Sequence, residues 1–294
     1  MGAGQLVELA VGGLAIGCIY SLIALGMTMI IRATGIVHFA QGEIVMVGSV
    51  LGLSALLALH LPFLAVLVIG MVIAGIAAVA IELGIYRTLR MRGTPLANII
   101  IATIGVSILL QNIVQLAWGS EPKSYPKLFT TDHYNFGAAK LSPQLIWIIV
   151  LGVVVMLALQ AFLRWTRTGI AMQAAAQDPE AAQLMGINLT KSTAITFLIG
   201  GVLAGAAGVL LGSMFFASFS MGFLPGIKAF VAATLGGLGS IGGAMVGGIL
   251  FGLLETFGAV WISTAYKDAI GMVLLIVILL VFPQGLAGLV RRGR

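Results

Sequence analysis

Long apolar runs, repeated from one end of the chain to the other, constrain this sequence more than any other feature. About 20 apolar residues cross the hydrocarbon core of a bilayer as a helix, because each residue adds about 1.5 Å. Eight runs reach or approach this length, and the sequence therefore predicts an all-α, polytopic membrane bundle formed by a single domain over residues 1–294. The runs are Leu9–Ile31, Ile44–Leu59, Phe63–Tyr86, Leu96–Trp118, Leu145–Leu163, Ser192–Phe216, Ile241–Trp261 and Ala269–Phe282.

Composition supports a membrane environment and argues against several other classes of protein. Only 8% of the residues are charged and the mean hydropathy is +1.15, whereas soluble chains are about 25% charged. The single cysteine, Cys18, excludes an intrachain disulfide. The net charge of +6 comes from Lys and Arg between the apolar runs, without a basic stripe of interleaved aromatics, so no nucleic-acid partner is expected.

Sequence signals for enzymatic chemistry are missing. The chain has no GxxxxGK[ST] phosphate loop and no HExxH or CxxC arrangement, and His38, His60 and His133 lie in different regions. We therefore expect no catalytic residues, no metal site and no ATP hydrolysis by this chain itself.

Basic residues in the short loops predict the orientation, because Lys and Arg accumulate on the cytoplasmic side. Residues 164–191 are then a cytoplasmic loop and Gly119–Pro143 is the main external loop. The external loop contains three lysines, which reduces the difference in Lys and Arg content between the two sides. The residues assigned to the cytoplasmic side are Arg32, Arg87, Arg90, Arg92, Arg164, Arg167, Lys191, Arg291, Arg292 and Arg294. Gly222–Leu235 is either a half-helix or a ninth crossing. The ninth crossing is favoured, because an even number of crossings must separate Lys191 from Arg291 and only three other runs lie between them.

Two breaks in the apolar pattern carry polar residues at positions where a bilayer makes them costly. The first, "ATGIVHFAQGE", contains His38, Gln41 and Glu43, and the second, "SMGFLPGIK", contains Lys228. Paired broken helices in two halves of a chain are typical of a translocation pathway, because irregular backbone at depth needs protein or water around it.

These four polar residues are candidates for the lining of a substrate pathway, but other roles are open. In one alternative, the Glu43 carboxylate stabilises the positive end of its own helix and the Lys228 side chain extends to the membrane–water interface. A structural Glu43–Lys228 ion pair is a further alternative, and Glu255 is a candidate for another buried pair whose partner the sequence does not name.

Small residues recur every four positions in two helices, at Gly200, Ala204, Gly208 and Gly212, and again at Gly239, Gly243 and Gly247. This spacing lets helix backbones approach closely within a membrane. The stripes either build the bundle of this chain or, as the alternative, face a second subunit.

The cytoplasmic loop contains a short helix with its own start and stop signals, within "AQDPEAAQLMGINLTK". Asp178 suits the N-cap, Pro179 the first helical position and Gly186 a left-handed turn at the end. Glu180 lies near the positive end, while Ala181, Ala182 and Met185 form a small apolar face for a partner groove. A capped loop helix without a partner is the alternative.

"EAAQLMG" fits EAA-x-x-x-G, the cytoplasmic loop signature of ABC importer permeases, although no I-x-L-P follows it. With "GCIYSLIALGMTMIIRATGIVHFAQGE" and "GIKAFVAATLGGLGSIGGAMVGGILFGLLE", the chain resembles the first permease subunit of the high-affinity branched-chain amino acid importers over residues 5 to 290. Gln41 stands where members of that family often have His, in "FAHGE".

The resemblance implies a five-part importer in the bacterial inner membrane. Its other parts would be a second, similar permease subunit, two cytoplasmic ATPases that bind ATP and Mg²⁺, and an external solute-binding protein; this chain would bind no cofactor itself. The residues from Asp178 to Gly186 would be the coupling helix that contacts an ATPase. Similar permeases also serve urea, short amides and other small organic acids, and an unenergised channel or secondary carrier is the alternative from another class.

Overall fold

The computed structural model describes residues 2–126, 134–136, 139–261, 266–281 and 285. It confirms the all-α prediction, with one short hairpin of β1 (Tyr134–Phe136) and β2 (Ala139–Leu141) among the described residues. The helices are α1 (Ala3–Thr34), α2 (Gln41–Leu59), α3 (Phe63–Ile81), α4 (Arg87–Met91), α5 (Leu96–Trp118), α6 (Pro143–Trp165), α7 (Arg167–Gln177), α8 (Pro179–Leu184), α9 (Leu189–Met214), α10 (Phe223–Gly236), α11 (Ile241–Trp261) and α12 (Lys267–Val281). A π-helical turn, Glu82–Tyr86, joins α3 to α4 without interrupting the helix.

Seven helices in the described part of the chain are long and apolar enough to cross a membrane: α1, α2, α3 with its continuation to Met91, α5, α6, α9 and α11. The helix α10 has 14 residues and is about 21 Å long, which is shorter than a hydrocarbon core of about 30 Å. The helix α12 has 15 described residues, and Phe282 lies outside the described residues. The predicted count of eight or nine crossings therefore consists of these seven long helices together with one or both of the shorter helices α10 and α12.

Residues predicted to be cytoplasmic meet at one end of the bundle. A small cavity there is lined by Arg32 from the end of α1, Leu163 from the end of α6, Gln173 from α7, Thr196 from α9 and Ile241 from the start of α11. Arg291, Arg292 and Arg294 lie outside the described residues.

The predicted external loop lies at the other end. The backbone N–H of Lys123 donates to Ala217 O, and that of Ala217 donates back to Lys123 O, both at 2.9 Å. The backbone N–H of Lys140 in β2 donates to the Glu8 carboxylate near the start of α1 at 2.7 Å. Between Ala217 and Gly236 the chain thus returns to the first end, where Gly236 packs on Gly243 of α11.

We expect single cysteines at Ser124 and Gln183 to react with an impermeant thiol reagent from opposite sides of the membrane. Both positions are exposed, and they belong to the two ends just described. The measurement uses a Cys18→Ala background in sealed vesicles of known orientation. Labelling of both cysteines from the same side would contradict the orientation.

The helix α9 lies at the centre of the bundle and packs on α1, α2 and α3. Its glycines make this possible. A Cβ on Gly205 would overlap the Gly70 carbonyl oxygen and lie 2.8 Å from Met71 Cα, both in α3. Gly208 meets the backbone of Val45 in α2, and Gly212 meets Ser49. In α11, Gly243 and Gly247 pack on α10.

The small-residue stripes therefore build the bundle of this chain, and the alternative that they face a second subunit is wrong for these positions. Gly239 differs, because nothing lies within 4 Å of its ideal Cβ and its φ is +87°. It belongs to the turn between α10 and α11.

Candidate functional site

The two predicted helix breaks contact each other inside the bundle. The helix α1 ends at Gly35, with φ +72°, and α2 begins after a turn at Gln41. A Cβ on Gly42 would overlap the carbonyl oxygen of Gly222, and a Cβ on Gly226 would lie 3.0 Å from Gly42 Cα. The first turns of α2 and α10 therefore meet backbone to backbone, and both helices direct their positive ends into this region.

The polar residues of the first break are buried around this contact. His38 Nδ1 lies 3.3 Å from the Tyr86 hydroxyl, and its ring packs against Phe197. Gln41 donates to the carbonyl oxygen of Gly200 at 2.9 Å. Glu43 lies in the first turn of α2, as predicted, and accepts from the Ser107 hydroxyl at 3.3 Å.

Two hydroxyl groups of α5 bind this break, and the sequence analysis did not identify them. Thr103 accepts from the Phe39 backbone N–H at 3.3 Å, and Ser107 donates to Glu43. The signal was present in the sequence, because Thr103 and Ser107 are four residues apart and so lie on one face of α5.

Three buried polar atoms in this region have no hydrogen-bond partner among the described residues: His38 Nε2, Gln41 Oε1 and Glu43 Oε2. The three side chains are at most 1% exposed. A buried polar atom without a partner is unfavourable, and such atoms in native proteins commonly bind water, an ion or a ligand. The arrangement is therefore suited to the passage or binding of a polar group.

Lys228, the fourth predicted pathway residue, forms ion pairs with acidic residues of two other helices, α11 and α12. Its ammonium group lies 2.5 Å from Glu255 Oε1 in α11 and 2.6 Å from Asp268 Oδ1 in α12. Lys228 is 6% exposed and Glu255 is fully buried, whereas the Asp268 side chain is 57% exposed.

This cluster corrects two alternatives from the sequence. No Glu43–Lys228 ion pair forms, because Lys228 binds Glu255 and Asp268 while Glu43 binds Ser107. Lys228 also does not extend to the interface, since its side chain is buried. Glu255 has the buried partner that the sequence did not name, and Asp268 was not identified at all.

The short helix of the loop between α7 and α9 has the predicted ends. The Asp178 carboxylate accepts from the Ala181 backbone N–H at 3.0 Å, and Pro179 is the first helical residue. Gly186 adopts φ +85°, and the backbone N–H of Ile187 donates to Ala182 O at 3.0 Å. The helix α8 is thus stopped by a left-handed glycine.

The apolar face predicted for α8 needs correction. Ala182 is 5% exposed and packs against this chain, so it is not available to a partner. Leu184 and Met185 are 88% and 84% exposed instead. Ala181 and Glu180 are also exposed. The outward apolar surface of this segment therefore consists mainly of Leu184 and Met185.

Comparisons with known proteins agree on one family. Residues 9–279 match the family model described as branched-chain amino acid transport system / permease component. The high-affinity branched-chain amino acid transport system permease protein LivH of Escherichia coli (strain K12) is 40% identical, covering 94% of this chain and 93% of that protein. The corresponding BraD protein of Pseudomonas aeruginosa is 40% identical, covering 95% and 94%. A probable branched-chain amino acid transport permease protein of Methanocaldococcus jannaschii is 29% identical, covering 91% and 88%. No solved structure matches the chain.

Proposed function

Because the chain belongs to the family of branched-chain amino acid transport system permease components, we propose that it forms the membrane pathway of an ATP-driven importer for branched-chain amino acids. Its relatives are transport permeases, and the seven long apolar helices of its described part make it a multi-pass protein of the bacterial inner membrane. The chemistry of ATP hydrolysis, with Mg²⁺, belongs in this proposal to partner subunits and not to this chain.

The exposed apolar pair Leu184–Met185 carries the proposal of an ATPase partner. It lies at the end of α8, a helix with both ends capped, in the loop that the Arg distribution assigns to the cytoplasm. Two large apolar side chains exposed to water on such a rigid element are suited to a groove on another protein. The rest of the assembly would be a second permease subunit and an external solute-binding protein.

Leu184→Asp and Met185→Asp should each weaken docking of the ATPases. Central apolar contacts of an interface contribute about 2 kcal/mol or more, so each change is expected to reduce ATPase affinity by about 30-fold or more. Co-purification of the ATPases and substrate-stimulated ATP hydrolysis in proteoliposomes measure the effect. Gln183→Ala is the matched control, because Gln183 is exposed on the same short helix but is not part of the apolar pair.

Normal co-purification and hydrolysis in both Asp variants would contradict this role for α8. Uptake by the chain without any ATPase would favour a channel or secondary carrier instead. Ala182 is unsuitable for this test, since a large side chain there would disturb packing within the chain.

The names of its relatives support branched-chain amino acids as the substrate class, with delivery by the external binding protein. Leucine, isoleucine and valine should therefore compete with one another for ATP-dependent uptake, while urea and short amides should not. We propose that the buried polar atoms of His38, Gln41 and Glu43 lie along the route, where an amino acid carries its ammonium and carboxylate groups through the bilayer. Lys228 would support this route from its ion cluster with Glu255 and Asp268.

A further inference from the structure

The helix α5 has a polar stripe that its packing in this chain does not explain. Thr103, Ser107, Gln111 and Gln115 follow one another at intervals of four residues within an otherwise apolar helix. Residues four apart share nearly the same face, and the face turns slowly around the helix along the series. Exposure rises in the same order, because Thr103 and Ser107 are buried, Gln111 is half-buried and Gln115 is exposed.

The inner members of the stripe are bound to the helix break, whereas the outer members are free in the described structure. Thr103 and Ser107 bond to Phe39 and Glu43. No hydrogen bond joins the amide group of Gln111 or Gln115 to any described residue. Asn112 differs, because its amide donates to Ile108 O at 2.7 Å within the same helix and so is satisfied without an outside partner.

An unsatisfied amide cannot remain against lipid at low cost, since hydrocarbon offers no hydrogen-bond partner. Gln111 lies seven residues before the end of α5 at Trp118, or about 10 Å along the helix axis. The other exposed surface of α5 has the opposite character, with Ile101, Ile104, Leu109, Ile113 and Leu116. The stripe is thus a polar strip along a helix whose other exposed side suits lipid.

A second observation shows where the stripe begins. Glu43 Oε2 is buried beside Ser107 and has no hydrogen-bond partner among the described residues. The polar strip therefore extends from the unpartnered carboxylate oxygen of Glu43 to the exposed end of α5.

We propose that the stripe Thr103–Ser107–Gln111–Gln115 is the water-lined wall of the external half of the translocation route. The amides of Gln111 and Gln115 bind the charged ammonium and carboxylate groups of the amino acid as it passes towards Glu43. This inference rests on the proposed function, since it assigns residues to the route of that importer.

Cysteine accessibility in the assembled importer tests the assignment. In a Cys18→Ala background, we expect Gln111→Cys and Gln115→Cys to react with a water-soluble, impermeant thiol reagent, and substrate delivered by the binding protein to slow the reaction. Leu109→Cys and Leu116→Cys are the matched controls on the lipid-facing side, and they should react at least tenfold more slowly, because a thiol in hydrocarbon does not ionise.

Substitution of the amides adds a functional measurement. Gln111→Leu and Gln115→Leu should each reduce the maximal rate of ATP-dependent leucine uptake severalfold at normal protein levels, while Leu116→Ile should not. Normal uptake rates in both Leu variants would overturn the assignment.

The outcomes separate this inference from the proposed function. If ATP-dependent uptake of branched-chain amino acids is normal but the cysteines at positions 111 and 115 are inert in the complex, the route lies elsewhere and the importer function stands. Cysteines that react in the isolated chain but are inert in the complex would show that the second permease subunit covers the stripe, which also overturns the inference. If the cysteines react and no ATP-dependent uptake exists, the proposed function fails while the water-lined wall stands.

Discussion

Lys228→Met should prevent the bundle from reaching its stable form. The change leaves Glu255 fully buried without its cation, and removal of one partner of a buried ion pair costs about 3–5 kcal/mol. That loss is a large fraction of the stability of an ordinary domain, about 5–15 kcal/mol. The expected result is a low yield of monodisperse protein in detergent and a lower midpoint of thermal unfolding.

A double substitution identifies the cause of this effect. Lys228→Met combined with Glu255→Gln removes both buried charges and leaves Asp268, which is 57% exposed, in contact with water. We expect it to recover most of the stability, whereas the exposed control Lys191→Met should change little. Full stability of the single variant would contradict the account. A stable double variant that does not transport would show that Lys228 also contributes to the route.

Gly208→Leu should be at least as damaging, because it separates the two helices at the centre of the molecule. The new Cβ would overlap the Val45 carbonyl oxygen and lie 3.0 Å from the Ser49 backbone nitrogen. Overpacking usually costs about 1–3 kcal/mol, and here backbone atoms form the obstacle, so no change of side-chain rotamer relieves it. The expected result is loss of folded protein.

Gly105→Leu is the matched control in a membrane helix. Nothing lies within 4 Å of its ideal Cβ, and leucine has a higher helix propensity than glycine. Folded protein should be recovered at the level of the parent chain, as measured by size-exclusion chromatography. Equal behaviour of the two leucine variants would contradict the assigned packing of α9 on α2.

Local signals in the sequence predicted the parts of this structure that depend on neighbouring residues. Asp178, Pro179 and Gly186 define α8 through backbone geometry alone, and the structure confirms all three. The Pro-Gly step in "SMGFLPGIK", Pro225–Gly226, likewise indicated the second break, and the short helix α10 begins two residues before it at Phe223.

Contacts between distant residues could not be derived in the same way. Glu255 and Asp268 are 27 and 40 residues from Lys228, and nothing in the local pattern indicates which acidic residue meets it. The face of α8 was predicted only in part, since Ala182 is buried and the exposed Leu184 was not named. A helix of six residues is too short for periodicity to define one side. The stripe on α5 was readable from its four-residue spacing, but its role depends on Glu43, which is 64 residues from Ser107.

The backbone contact between Gly42 and Gly222 has a consequence for biosynthesis. The two glycines are 180 residues apart in the sequence (222 − 42), so at about 5–20 residues per second the ribosome needs roughly 10 to 40 s to supply the second after the first. Through most of that interval His38, Gln41 and Glu43 have entered the membrane region before α9 exists, and α10 follows only after its end. The early half of the chain must therefore stay near water or the insertion machinery until the late half arrives, and a chain truncated before Gly222 should be recognised as unfinished and degraded.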